Sequence, residues 1–408
     1  YVSKGSSYPF LHSFRDMFPT PPEGYNRAEA AAWLTQYPGQ DIPEERKVSV
    51  MGIMLEAFCD LTDFELLAEQ PGVAQVYAPW HALEEQSVSG DLLTNIFAGG
   101  TVDTEWAFLT GYSTHQDFRS HTDSYVWYFR DQGYQTFGSH PGYSWFYNRQ
   151  NVNQYLGFEE YWFTENHYGQ LVDPVDAVWE SDPVLASELL KQLEERTAQG
   201  PCFSFSVSYQ NHGPYADVPT ARDGYINPAG SGLSEASRNI LNNYLGGVDV
   251  TIQAMVELTR GLEELDEPVV LVLFGDHKPW ARNGNSVYTE LGADFDISTQ
   301  KGFYEYYSTP YLIWANSAAQ RALGHELRGS GGDFSPCFLM TRIFDLCGWE
   351  GPGFMELSRQ TRAVTPLLHT EGLFWTDNGL TDTLSETDEA FYRQFLYAQY
   401  YREQEGLE

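Results

Sequence analysis

Four stretches of the chain are nearly uninterrupted apolar runs of strand length. VSVMGIMLEAF (48–58) carries an acid near its end, and CFSFSVSYQNHGPY (202–215) alternates before passing into a polar loop marked by Pro214. PVVLVLFGDHKPW (268–280) sets six apolar residues before Gly-Asp-His, and TPYLIWAN (309–316) is the fourth. Such runs predict strands covered on both faces, as in a parallel sheet. Between them the period changes. Residues 182–197 place Leu185, Leu189, Leu190 and Leu193 on one helical face. Residues 234–264 do the same with Ile240, Leu241, Tyr244, Val248, Ile252, Met255 and Leu258. Strands alternating with helices predict an α/β fold: a central, mostly parallel sheet flanked by helices.

Residues 1–46 read as a lead-in, with Pro-rich turns at Pro19–Pro22 and Pro38–Pro43 around a short helical pattern at 26–37. One large domain follows over 47–352. From 353 to 408 the α/β rhythm is lost and a polar, aromatic helix closes the chain near 385–403, which predicts a smaller C-terminal element packed on the large domain.

Charge narrows the function. Among 408 residues, 23 are Lys or Arg and 57 are Asp or Glu, a formal net charge of −34. A polyanion would be repelled, which excludes a nucleic-acid partner and broad electrostatic docking on an anionic membrane. An anionic substrate must be caught locally, by a metal ion or a few placed cations. Hydrophobic residues at 42% supply a large core, so disorder is excluded. Cys59, Cys202, Cys337 and Cys347 lie in apolar stretches with no C-x-x-C pair, and are expected to be free, buried thiols. No apolar run is long enough for a transmembrane helix.

In an open parallel sheet, functional groups gather where loops leave the C-terminal strand ends. Three runs end on such groups: Glu56, His212 and the adjacent Asp276–His277. Two carboxylates and an imidazole suit a hard or borderline divalent cation. An isolated Gly-Asp-His is more often a helix cap followed by a solvated imidazole. FAGGTVDTEWAFLTGYS (97–113) favours the metal instead. Gly99 and Gly100 permit an unusual turn before Thr101, and Trp106, Phe108 and Leu109 then predict a helix. A Thr there is ordinarily an N-cap; beside a metal, its hydroxyl becomes a nucleophile.

MLEAF, GGTVDTEW, HPGYSWFYNR (140–149), NHGPY (211–215) and FGDHKPW (274–280) occur in an order that resembles the lipoteichoic acid synthase family. Those enzymes are extracellular phosphoglycerol transferases of the sulfatase and alkaline phosphatase superfamily. The resemblance runs from about residue 48 to about 350 and includes SPCFLMTRIFDLCGW (335–349). It implies that 47–352 is a sulfatase-like catalytic domain and that Glu56, Thr101, Asp276 and His277 hold one metal ion, Mn²⁺ or Mg²⁺. It further implies Thr101 as nucleophile, with His140, Tyr147, Arg149 and His212 contacting substrate. From residues alone, Arg149 could equally be a surface guanidinium stacked over Phe146 or Tyr147.

The sequence also departs from the family. Val102 replaces a common Ser, Tyr147 stands where the synthases usually carry Trp, and Lys278–Pro279 follow the Asp-His. The sulfatase signature, Cys or Ser followed by x-Pro-x-Arg, is absent at the nucleophile, which argues against sulfate-ester hydrolysis. The resemblance implies transfer of phosphoglycerol from a phosphatidylglycerol-like lipid to a glycolipid, polymer or polysaccharide acceptor, through a phospho-threonine. Hydrolysis as a phosphodiesterase or phosphatase is the alternative; a metal-stabilised protein without activity ranks third. The family's catalytic domain stands on the extracellular face of the cytoplasmic membrane, anchored by segments that this chain would lack.

Overall fold

The computed structural model describes residues 20–114, 118–171, 181–222, 224–228, 231–282 and 285–405. Residues 1–19 of the expected lead-in, with His12 and Pro19, and His115 lie outside the described residues. In chain order, the elements that matter begin with α1 (Arg27–Gln36), β1 (Ser49–Leu55), α2 (Pro71–Glu84), β2 (Val88–Leu93) and α3 (Val102–Thr110). Next come β3 (Gln135–Ser139), α4 (Arg149–Tyr155), β4 (Glu160–Trp162), α5 (Asp182–Thr197), β5 (Cys202–Val207) and α6 (Glu235–Glu263). Then follow β6 (Val269–Gly275), α7 (Gln300–Tyr307), β7 (Ser308–Ala315), β8 (Gly329–Ser330) and α8 (Leu339–Cys347). The chain ends with α9 (Gly353–Val364), β9 (Phe374–Thr376), β10 (Gly379–Thr381) and α10 (Glu386–Glu405).

The eight-stranded sheet has the order β4-β3-β5-β1-β6-β7-β2-β8. It is parallel except at β7, which runs against both β6 and β2. The expected mixed α/β architecture with a mostly parallel sheet is therefore observed. The continuous apolar runs have a direct cause. Val50 and Met54 of β1 face one core with Val270, Val272 and Phe274 of β6, beneath Phe108 of α3. Met51, Ile53 and Leu55 face the other with Leu271 and Leu273, beneath α2, α5 and α6. Each fully covered side chain of this size contributes about 1.5–3 kcal/mol. All four cysteines are free and buried.

At the C-terminal end, α9 and α10 pack on one another and on α1. Phe354 and Phe395 stack 5.2 Å apart and belong to the same core as the sheet. The helix at 27–36 thus rests on the chain's last helices. Among the described residues, no helix is long and apolar enough to cross a membrane.

Candidate metal and phosphoryl-transfer site

The C-terminal edges of β1 and β6 lie side by side, with Leu55 opposite Gly275. Directly beyond them the chain places Glu56 and Asp276–His277. Gly275 is required for this approach, because a Cβ there would fall 2.1 Å from the carbonyl oxygen of Phe58. The Ala57 amide donates to Asp276 Oδ1 at 2.7 Å, as does the His277 amide at 2.8 Å. The Glu56 amide is fixed by Ser208 Oγ at 3.0 Å, at the end of β5.

Asp276 is followed by a turn rather than a helix, and Asp276 and His277 are both buried. The helix-cap alternative for Gly-Asp-His is therefore excluded. Glu56, Asp276 and His277 each offer a ligand atom within 4.8 Å of the other two. His277 Nδ1 lies 2.9 Å from the carbonyl of Lys278, an arrangement that assigns the ring proton to Nδ1 and leaves Nε2 a lone pair. Asp276 Oδ2 and His277 Nε2 face each other at 3.2 Å; with the ring proton on Nδ1 both are acceptors, and both are buried with no hydrogen-bond partner. Orphaned polar atoms of this kind cost about 1–3 kcal/mol each unless something binds them. Two carboxylates and one imidazole fit a divalent cation. Burial and the neighbouring Asp276 hold the Glu56 carboxyl well above the usual carboxylate range, a tension that a cation would relieve.

Thr101 reaches this cluster from the opposite side. Ala98, Gly99 and Gly100 have φ of 58°, 110° and 83°, three left-handed residues in succession. They hook the chain so that Thr101 sits at the N-terminus of α3. Its side chain makes no capping hydrogen bond, so the N-cap alternative does not describe this hydroxyl. Thr101 lines a cavity of about 350 Å³ together with Glu56, His140, Tyr147, Arg149, His212 and His277. Every expected site residue except Asp276 is on its wall, and Asp276 is wholly buried.

Arg149 is buried, not a surface residue. Its Nε and Nη2 donate to Glu105 Oε2 at 3.0 and 2.7 Å, and its guanidinium lies 5.3 Å from the Tyr147 ring. His140 Nδ1 lies 3.0 Å from the Val207 carbonyl. Burial and then Arg149 push its pKa down to about 3, so at neutral pH it is an uncharged ring with Nε2 as acceptor. His212 is exposed and stacks on Tyr209 at 5.2 Å.

Sequence reasoning missed two supports. Glu105 aims Arg149, and the Thr104 hydroxyl donates to the Asp276 carbonyl at 2.8 Å, tying α3 to the Asp276–His277 loop. Glu105 does lie four residues after Thr101 on the same helical face, but Asp103 is a second acid on that turn, so the spacing alone does not single it out. His369 is buried in a loop with Nε2 3.0 Å from the Thr94 carbonyl.

The sulfatase family profile matches residues 78–349. In sequence the chain is 29% identical over 321 residues to a Rhizobium meliloti protein named "Putative cyclic beta-1,2-glucan modification protein", covering 75% of this chain and 46% of that one. The chain spans about half the length of the curated relatives it matches. In structure it is similar to the Streptococcus pyogenes phosphoglycerol transferase GacH bound to sn-glycerol-1-phosphate, with TM-score 0.67 at 15% identity over 93% of this chain and 94% of that one. It is also similar to the lipoteichoic acid synthase LtaP of Listeria monocytogenes, with TM-score 0.63 at 16% identity over 91% and 97%. At these identities the two structures establish the fold alone.

Proposed function

The chain belongs to the sulfatase family, and from that membership we propose that it is a metal-dependent phosphoglycerol transferase acting on a cell-envelope glycan. One observation carries the reading: the uncapped Thr101 hydroxyl shares a cavity with Glu56 and His277 of a buried triad in which Asp276 Oδ2 and His277 Nε2, 3.2 Å apart, have no hydrogen-bond partner. The relatives' names agree with it, one being a phosphoglycerol transferase and another a glucan modification protein. The resemblance to lipoteichoic acid synthases supports a phosphatidylglycerol-like lipid as the donor and a reaction outside the cytoplasmic membrane.

Glu56, Asp276, His277 and Thr101 would hold Mn²⁺ or Mg²⁺. When bound, the ion supplies Lewis-acid charge beside the Thr101 hydroxyl and the phosphoryl oxygens. Thr101 Oγ attacks phosphorus; the Oγ–P bond forms as the P–O bond to diacylglycerol breaks, and the hydroxyl proton ends on the departing alkoxide. An acceptor hydroxyl then attacks the same phosphorus, the Oγ–P bond breaks, and the acceptor's proton returns to Thr101. Arg149, fixed by Glu105, offsets charge on the non-bridging oxygens. His140 is uncharged at neutral pH, so it accepts a glycerol hydroxyl rather than donating a proton, which leaves His212 at the mouth to carry the leaving-group proton.

The test is intact mass after incubation with Mn²⁺ and phosphatidylglycerol. A glycerophosphoryl adduct present in the native protein and missing in Thr101→Ala supports the reading. Turnover retained in Thr101→Ala overturns it, and release of glycerophosphate to water alone makes the protein a phosphodiesterase.

A further inference from the structure

A second, larger cavity of about 630 Å³ opens beside the first. Its walls come from the same sheet edge: the segment after β1, the loop after β6, α7, the start of β7, and Trp375 of β9. The link between the two cavities is covalent, since His277 lines one and the next residue, Lys278, lines the other. The proposed chemistry uses His277 and leaves Lys278 without a role.

The chemistry of this wall is specific. Lys278 is buried, and its Nζ donates to both the carbonyl and the Oγ of Ser308, the latter at 3.0 Å. An ammonium has three donors, so one remains for a ligand. Asp333 and Gln300 stand on the rim, and Lys301 is paired with Glu305 at 3.3 Å. Tyr304 donates to Asp91 and meets the half-buried Trp375 edge-on at 6.4 Å. The lining therefore combines a partly exposed aromatic face with carboxylates that only accept hydrogen bonds and an amide and ammoniums that donate them.

A phosphate or phosphoglycerol chain brings acceptors and negative charge to carboxylates, and is disfavoured here. A neutral polyhydroxylated ring matches every feature: hydroxyls that both donate and accept, and an apolar face for Trp375. The volume is also that of a small-molecule site, about 300–1,000 Å³. We infer that this cavity is a binding subsite for a neutral sugar unit of the acceptor glycan, set beside the cavity in which Thr101 carries the phosphoryl group. The inference rests on the transferase reading for the word acceptor, and on the cavity itself for the sugar.

The experiment titrates a neutral gluco-oligosaccharide into the full chain and follows binding by ligand-observed NMR. Native protein and Thr101→Ala are expected to bind equally. Trp375→Ala and Gln300→Ala are expected to weaken binding at least tenfold while each keeps the native melting temperature; Gln300, exposed on the rim, serves if Trp375→Ala does not fold. Absence of binding, or binding unchanged in both variants, overturns the inference. The Thr101 adduct assay is run in parallel. An adduct that forms in Trp375→Ala without sugar binding isolates the subsite, whereas an adduct that forms in no protein removes the transferase reading and leaves the sugar titration to be judged by itself.

Discussion

Asp276 and Asp182 are both buried carboxylates near the C-terminal strand ends, yet their surroundings differ in kind. Around Asp182 the protein has supplied partners: the Thr251 hydroxyl donates to Oδ2 at 2.6 Å and the Tyr209 amide to Oδ1 at 3.4 Å. Burial still raises its pKa to about 6, but both oxygens are used. Asp276 has one oxygen satisfied by two amides; the other has no hydrogen-bond partner and faces the His277 Nε2 at 3.2 Å, with Glu56 close to both. A satisfied buried acid is scaffold; one left half-satisfied beside two other potential ligand groups marks a candidate binding position.

The sharpest way to break this contrast is to remove one member of each pair of roles. Asp276→Asn is expected to lower turnover by at least 10³-fold and to abolish the rise in melting temperature on adding Mn²⁺, while costing the metal-free protein little, because it also removes repulsion with Glu56. Asp182→Ala is expected to do the reverse: a loss of about 2–3 kcal/mol from stranded donors, with the Mn²⁺-induced rise retained. Calorimetry with and without Mn²⁺ decides; a Mn²⁺ response that survives Asp276→Asn removes the metal assignment.

Glu105 tests an intermediate condition, since it both satisfies and aims another charge. Its pairing with Arg149 is almost wholly buried. Glu105→Ala leaves an uncompensated guanidinium and is expected to cost about 3–5 kcal/mol. A Glu105→Ala, Arg149→Met double variant should recover most of that stability but not activity. Recovery of activity as well would reduce Arg149 to a structural residue.

What the sequence made legible follows from how each feature is encoded. β1, β5, β6 and β7 are covered on both faces, so their runs are unmistakable; α5 and α6 carry long stripes that bury against the sheet. β2 was not legible because its middle, Ser89-Gly90-Asp91, is only partly buried, and β4 is three residues long. In the site, Glu56, Asp276 and His277 stood out as polar groups ending apolar runs. Glu105 did not, because its partner is 44 positions away and only the fold brings them together. The second cavity was illegible for the same reason, drawing its walls from residues 63 to 375. Asp182 reads as an ordinary first-turn acid of α5, and only the contact from Thr251 shows its role.

His140 offers the smallest effect and separates solvation from charge. Its Nδ1 is bound to Val207 and its ring is buried, so protonation must place a second cation beside Arg149 without water. The pKa of about 3 in the folded chain lies below the usual value of about 6.5 for an unfolded histidine. The unfolded state therefore takes up the proton first as pH falls. Above pH about 6.5 the group has no effect on stability; below it stability declines toward the folded pKa, by up to about 2 kcal/mol at pH 5. His140→Gln is expected to flatten that acid slope. In the native protein, ring NMR signals should stay those of the neutral Nδ1–H tautomer down to pH 5. A His140 that titrates near 6.5 would show a hydrated ring, and would return it to the candidates for the leaving-group proton.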